Sequence, residues 1–266
     1  MQGSLKSGPS ITLFIKTRGL LFIVLLAMGF YPAFAQQNYT PASIHSHNDY
    51  AQPQPFYNAF NAGAGAIEAD VYLRNGILMV AHNPSDIKPE LTLKAMYIDP
   101  LQKELGKRTG PLNLLIDLKE RYTTLLPQLI RELEPLLPFI KKGHNRPLFI
   151  IITGNRPPPA EYNNYPAYIL FDDDLQLPHN PDQWKRVAQV SLNFENYSKW
   201  KGEGVLPIQD ERLLKAVINA VHVAGKKIRF WGAPDNAAAW QKLMALNADI
   251  LCTDKVTELT DFINKP

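Results

Sequence analysis

The chain has 266 residues, 45% of them hydrophobic and 10% aromatic, with one cysteine and a formal charge of +3. The first 35 residues hold Lys6, Lys16 and Arg18 and no acidic residue, so the remainder is close to neutral. That balance argues against a nucleic-acid partner or an anionic membrane surface, and a single cysteine, Cys252, excludes an internal disulfide.

Lys16 and Arg18 precede an apolar run from Leu20 to Phe30, and Ala33-Phe34-Ala35 places small residues where a signal peptidase reads them. We expect residues 1–35 to be an export signal cleaved after Ala35, because the run is shorter than the roughly 20 residues of a spanning helix. The residue that follows is Gln36, which offers no lipoprotein attachment point. The expected location is secreted or periplasmic, with no stable membrane span after cleavage. Residues 36–266 carry no low-complexity linker or short repeat and read as one domain, expected to be monomeric.

Short apolar, β-rich runs then alternate with longer helical stretches, the pattern of a parallel sheet covered by helices. Eight such runs are predicted: Ala42 to His45, Ala66 to Val71, Asn113 to Leu118, Leu148 to Thr153, Tyr168 to Phe171, Gln189 to Leu192, Lys227 to Trp231, and Asp249 to Cys252. Helices are predicted over Pro55 to Ala62, Tyr122 to Ile140, Glu211 to Val223 and Ala237 to Leu246. The run Ile77 to Ala81 follows the Asn75-Gly76 turn signal and reads as a hairpin arm on the second strand. Eight βα units imply a TIM (β/α)8 barrel of the α/β class.

In such a barrel the chemistry gathers at the C-terminal strand ends. The first strand runs into His45-Ser46-His47-Asn48-Asp49, the second carries Glu68 and Asp70, the hairpin ends at His82-Asn83, and the third carries Asp117 and Lys119. Residues two apart on a strand share a face, so Glu68 with Asp70 and Asp117 with Lys119 are expected to project together. Three converging carboxylates call for a hard divalent cation, Mg2+ or Ca2+. Lys119 could hold a phosphate oxygen or simply pair with Asp117. Two imidazoles among His45, His47 and His82 would supply the acid and the base of phosphodiester cleavage.

The stretch from Ile44 to Asn83 resembles the first third of the PLC-like phosphodiesterase superfamily, which includes glycerophosphodiester phosphodiesterases, sphingomyelinase D-type phospholipases and bacterial phosphatidylinositol phospholipases. The resemblance rests on His-Ser-His-Asn-Asp-Tyr at His45 to Tyr50, Ala-Ile-Glu-Ala-Asp-Val at Ala66 to Val71, and Val-Ala-His-Asn at Val80 to Asn83. Leu-Ile-Asp-Leu-Lys at Leu115 to Lys119 and Arg-Phe-Trp-Gly at Arg229 to Gly232 extend it toward the end of the barrel. The nearest subgroup is typified by a fungal protein named for altered inheritance of mitochondria.

The resemblance implies a metal-dependent phosphoric diester hydrolase acting on a glycerophosphodiester or lipid-type phosphodiester. It implies His45 and His82 as the acid–base pair, with His47 the alternative first histidine, and Glu68, Asp70 and Asp117 as metal ligands. It places Lys119, Trp231 and Asn48 toward the substrate. The Arg-Gly that follows the first histidine in glycerophosphodiesterases and their Glu-Asn-Thr metal motif are absent, which weakens the glycerophosphodiester assignment. His45 is favoured over His47 because it follows the apolar strand directly.

The sequence also admits two other readings. His-x-His at the end of the first strand also resembles the metal motif of amidohydrolases, and the fold alone permits a non-catalytic binding barrel. Against the first, His144, His179 and His222 fall in loop or helix contexts. The triplet Asp172-Asp173-Asp174 is expected to be a solvated loop or cap. Arg156-Pro157-Pro158-Pro159, with Tyr162 and Tyr165 beyond, is expected to form a rigid surface loop, and Cys252 to be a small buried hydrophobe.

Overall fold

The structure, a computed structural model, describes residues 16–17, 20–21, 37–140 and 147–265. The predicted export signal lies outside the described residues, apart from Lys16–Thr17 and Leu20–Leu21, which pair as two short antiparallel strands. His144 also lies outside them.

From residue 37 onward the chain forms β1 (Ile44–Ser46), β2 (Ala66–Arg74), β3 (Ile77–Val80), β4 (Leu112–Leu118), β5 (Leu148–Gly154), β6 (Ile169–Asp173), β7 (Val187–Asn193), β8 (Lys227–Trp231) and β9 (Leu251–Thr253). All but β3 pair in parallel, in the order β8, β7, β6, β5, β4, β2, β1, β9. One further parallel bridge, Arg229 to Ile250, brings β8 to the start of β9, so the eight strands nearly close into a barrel. Each barrel strand begins and ends within three residues of its predicted run.

β2 outlasts its prediction because β3 folds back on it, pairing Val71 with Val80 and Arg74 with Ile77. The connecting Asn75 and Gly76 have φ of 52° and 78°, the pair of positive values that a tight hairpin matched to strand twist requires.

The helices include α1 (Tyr57–Ala62), α2 (Asp99–Glu104), α3 (Tyr122–Glu132), α4 (Leu137–Ile140), α5 (Pro181–Lys185), α6 (Ile208–Val223), α7 (Ala237–Ala245) and α8 (Val256–Asn264). The single helix predicted from Tyr122 to Ile140 is broken by a 3-10 turn at Glu134–Leu136. Pro135 lacks the N–H that would continue the α-helical ladder and disfavours helical geometry at the residue before it. α2, α5 and α8 escaped the sequence reading; the first two are too short to show a 3.6-residue period.

Alternation along each strand divides the side chains into two sets. Ile67, Ala69, Val71, Leu114, Ile116, Leu118, Ile228 and Phe230 join Leu125, Leu214, Trp240 and Leu259 of the helices in the large outer core. Ala66, Leu115 and Ile151, with Leu170 and Ala188 against them, form a separate small cluster, the apolar floor of the barrel interior. The positions two residues further along the same inner faces are polar: Glu68, Asp117 and Asp172. The interior therefore passes from an apolar floor to a charged upper layer at the mouth.

Candidate active site

β1 is the pivot of the site. His45 is fully buried, with Nε2 2.6 Å from Glu68 Oε2, and Arg229 Nη1 lies 2.9 Å from the same nitrogen. Its Nδ1 is buried without a hydrogen-bond partner. Burial, reinforced by the Arg229 guanidinium, pulls the imidazole down to about 4, so it is neutral at pH 7 and donates Nε2–H to Glu68.

His47 is two residues further, past the last β1 residue, and reaches the mouth. Its backbone N–H bonds Thr253 O at 3.0 Å on β9, and its Nδ1 lies 2.8 Å from Asp254 Oδ1. Burial is the largest single influence and opposes its protonation, but the Asp254 hydrogen bond and the negative charges of Glu68 and Asp254 together outweigh it and raise the imidazole above its ordinary value. The loop that presents it is fixed by Asp49, whose buried carboxylate accepts from Ser46 Oγ at 2.8 Å, Phe56 N at 2.6 Å and Tyr97 Oη at 3.1 Å. Asn48 takes a left-handed conformation, which asparagine tolerates better than most residues.

Tyr50 connects the two histidine-bearing loops. Its hydroxyl lies 2.6 Å from Asn48 Oδ1, 2.8 Å from Asp70 Oδ2 and 3.1 Å from His82 Nδ1. His82 Nδ1 is also 3.3 Å from Asp70 Oδ2, and the ring is more than half exposed. His47 and His82 thus share one device: a carboxylate at Nδ1 fixes the ring and leaves Nε2 for other work.

Glu68 and Asp70 on β2 and Asp117 on β4 each bring one carboxylate oxygen within 4.8 Å of the others. Asp70 and Asp117 are register partners across the two strands. Lys119 Nζ lies 2.7 Å from Asp117 Oδ2 and 2.9 Å from Asp70 Oδ2, so it meets both carboxylates rather than one. Burial would raise Glu68, yet Arg229 and His45 override it and hold the carboxyl well below the usual range. Burial raises Asp117 against the pull of Lys119.

This all-oxygen cluster fits a hard divalent cation. Gly154, at the end of β5 with φ +68°, makes room for it: a Cβ there would stand 1.8 Å from Asp117 Oδ1. The His-x-His pair, by contrast, does not converge, since His45 addresses Glu68 and His47 addresses Asp254. His179 lies against Asp173 and His222 against Asp249, so the amidohydrolase arrangement is not assembled among the described residues.

Arg229, quoted only as part of a motif, is the centre of the charged layer. It donates Nε to Ser191 Oγ at 2.5 Å, Nη1 to Glu68 at 3.0 Å and Nη2 to Asp172 at 3.3 Å, with 3% of its side chain exposed. This corrects the reading of Asp172-Asp173-Asp174 as a solvated loop. Asp172 and Asp173 are buried in β6, because Asp172 faces inward to Arg229, and only Asp174 approaches the surface, where it pairs with Arg156 at 2.9 Å. Cys252 is held as a thiol, pushed up to about 12 by burial. Tyr162 is core, stacked on Phe171, while Trp231 at the end of β8 is 44% exposed.

The sequence reading missed Asp254, Tyr50 and Gly154. Tyr50 lay within a quoted motif, and its spacing from Asn48 was the available signal. Asp254 carried none, being 207 residues from His47.

Comparison with known proteins places this geometry in context. The family described as AIM6-like phosphodiesterase domain matches residues 34–113. The altered inheritance of mitochondria protein 6 homolog of Arthroderma benhamiae is 28% identical over 242 residues, covering 77% of this chain and 76% of its own. The Saccharomyces cerevisiae protein of the same name is 27% identical over 243 residues, and the chain spans 62% of that relative's length. A solved Oleispira antarctica phosphodiesterase, in complex with the product sn-glycerol-3-phosphate, shares the fold with a TM-score of 0.52 at 11% identity, covering 84% of this chain and 96% of its own. The chain therefore resembles the AIM6-like phosphodiesterases over residues 34–113 and shares its parallel barrel fold with a solved phosphodiesterase.

Proposed function

We propose that this chain, similar to the AIM6-like phosphodiesterases, is a metal-dependent phosphodiesterase that cleaves a glycerophosphodiester or lipid-type phosphodiester by histidine acid–base catalysis. One observation carries the reading: His47 and His82, each held at Nδ1 by a carboxylate, flank a carboxylate triad at a barrel mouth. A binding barrel has no need of two imidazoles so fixed.

His47 is the better first histidine. His45 is fully enclosed and its Nε2 is committed to Glu68, so it meets no substrate; it acts by positioning Glu68. His47 and His82 each present Nε2 for proton transfer: one takes the proton from the attacking hydroxyl, the other protonates the leaving oxygen. Tyr50 and Asn48 tie the two rings together, and Asp254 and Asp70 keep their Nδ1 atoms from exchanging roles with Nε2. Lys119 offers its ammonium to a non-bridging phosphate oxygen.

Mg2+ or Ca2+ held by Glu68, Asp70 and Asp117 would neutralise charge on the phosphoryl group. Trp231 is placed to line the substrate's approach. The apolar run Leu20 to Phe30 followed by Ala33-Phe34-Ala35 supports a secreted or periplasmic location for a mature protein of residues 36–266.

The test is release of p-nitrophenol from bis(p-nitrophenyl) phosphate, and of product from a panel of glycerophosphodiesters and lysophospholipids, with magnesium, calcium or EDTA. Metal-dependent turnover lost in His47→Ala, His82→Ala and Glu68→Ala is the expected outcome. Full activity in His47→Ala would return the role to His45, and activity indifferent to EDTA would remove the metal from the reading.

A further inference from the structure

Beside the carboxylate triad, at the same end of the barrel, the segments that follow β4 and β5 border an open cavity of about 500 Å3. Its walls bring three cationic side chains together, Lys119, Arg121 and Arg156, with Tyr122 and Asn155 between them. Lys119 belongs to both places, since its ammonium also meets Asp70 and Asp117. The cavity is therefore continuous with the proposed reaction centre.

Two of its three cations are held by carboxylates, Lys119 by Asp70 and Asp117 and Arg156 by Asp174, so the charge left over in the wall is that of Arg121. Glu120, the acidic residue of the wall, is turned away, accepting from Arg74 Nη1 at 2.8 Å and from Leu73 N at 3.1 Å. The Tyr122 hydroxyl donates to Glu161 at 3.0 Å. Arg156 is anchored by Asp174 and only 17% exposed, a fixed rather than a wandering cation. Arg121 is exposed and forms no ion pair among the described residues. A volume of this size suits a small-molecule group, and a wall of guanidinium and ammonium groups suits a compact oxyanion. An acyl chain would strand those cations against hydrocarbon.

We propose that this cavity is a subsite for a second anionic group on one arm of the substrate, a carboxylate or a phosphomonoester. The preferred substrate is thus a phosphodiester with a charged polar arm on the β4–β5 side. This rests on the phosphodiesterase reading of the neighbouring site and adds to it which arm carries charge.

The experiment compares two matched phosphodiesters that differ only at the end of one arm: a carboxylate against its neutral amide, and separately a phosphomonoester against its free alcohol. The mature protein is expected to favour the charged member in kcat/KM by about tenfold or more. Arg121→Ala should abolish that ratio and Arg121→Lys should retain part of it. Preference for the carboxylate or for the phosphomonoester tells the two sources of the anion apart. Equal kcat/KM for charged and neutral members in the unaltered protein, or an equal loss on both in Arg121→Ala, overturns the subsite.

If neither member is turned over, the phosphodiesterase reading fails, and titration with inorganic phosphate followed by amide NMR then decides the subsite by itself. Saturable shifts at residues 121–123 and 155 that vanish in Arg121→Ala sustain it. Their absence in the unaltered protein overturns it.

Discussion

Arg229→Met is the perturbation on which the internal logic of this barrel depends most. The guanidinium is buried and offsets two carboxylates, Glu68 at 3.0 Å and Asp172 at 3.3 Å, both almost inaccessible to water. Methionine fills similar space and leaves both carboxylates without their cation, Glu68 retaining only its hydrogen bond with His45 at 2.6 Å. Breaking a buried ion pair on one side costs about 3–5 kcal/mol. For a domain of this size that corresponds to a fall in Tm of about 6–20 °C.

The pH dependence supplies the sharper signature. In the unaltered protein Glu68 is held below its ordinary 4.5, so it contributes stability above about pH 4.5 that is lost as the pH falls toward its folded value. Without Arg229, burial is opposed at Glu68 chiefly by the His45 hydrogen bond and at Asp172 chiefly by Ser191, and both carboxyls rise in the folded state. Their charged forms then destabilise the fold increasingly as the pH rises, and acidification relieves the defect. Urea unfolding followed by far-UV circular dichroism from pH 7 to pH 4 should show the gap between variant and parent narrowing as the pH falls. A loss below about 1 kcal/mol at pH 7, or a gap that does not change with pH, would refute the account of the charged layer. Adding Asp172→Asn to Arg229→Met should restore part of the loss.

His45, held down to about 4, binds a proton less readily folded than unfolded, so the protein should lose about 3 kcal/mol as the pH falls from 6.5 to 4; His45→Gln should flatten that limb in the same unfolding series. Gly154→Ala would place a methyl 1.8 Å from Asp117 Oδ1 at a φ of +68°. The left-handed backbone alone should cost about 1–2 kcal/mol, and the displaced carboxylate should weaken Mg2+ binding in titration calorimetry; unchanged affinity would mean that Asp117 is not a ligand. Tyr50→Phe removes the hydroxyl that meets Asn48, Asp70 and His82. We expect kcat to fall about ten- to a hundredfold through misplacement of the rings, with the circular dichroism spectrum unaltered, and a kcat within twofold of the parent's, about the scatter of such assays, would dismiss the bridge.

The barrel and its carboxylates were legible in the chain because both are written locally. A strand exposes its two faces in alternation, so Ala66-Ile-Glu-Ala-Asp-Val already declares that Glu68 and Asp70 point the same way and that Ile67 and Val71 point the other. Apolar runs punctuated by helical stretches specify parallel strands without reference to distant residues. The choice between His45 and His47 was not of that kind. Both follow the same apolar strand, and only the inward turn of His45 onto Glu68, and the approach of Asp254 to His47, separate an enclosed imidazole from an accessible one.

Arg229 and Asp172 illustrate the same division. An aspartate triplet at a strand end reads as surface chemistry, since an isolated buried charge is too costly to expect, and an arginine in a strand motif gives no sign of its partners. They are buried because near-closure of the barrel brings β8 across its interior to meet β2 and β6, pairing residues 161 and 57 positions apart. The sequence by itself determined where the strands lie along the chain, the two faces of each strand and the carboxylates at their ends, because these follow from periods of two and of three to four residues. The tertiary structure alone decided which histidine is enclosed, which reaches the mouth and which cations answer the buried acids, because those are contacts between strands remote in the chain.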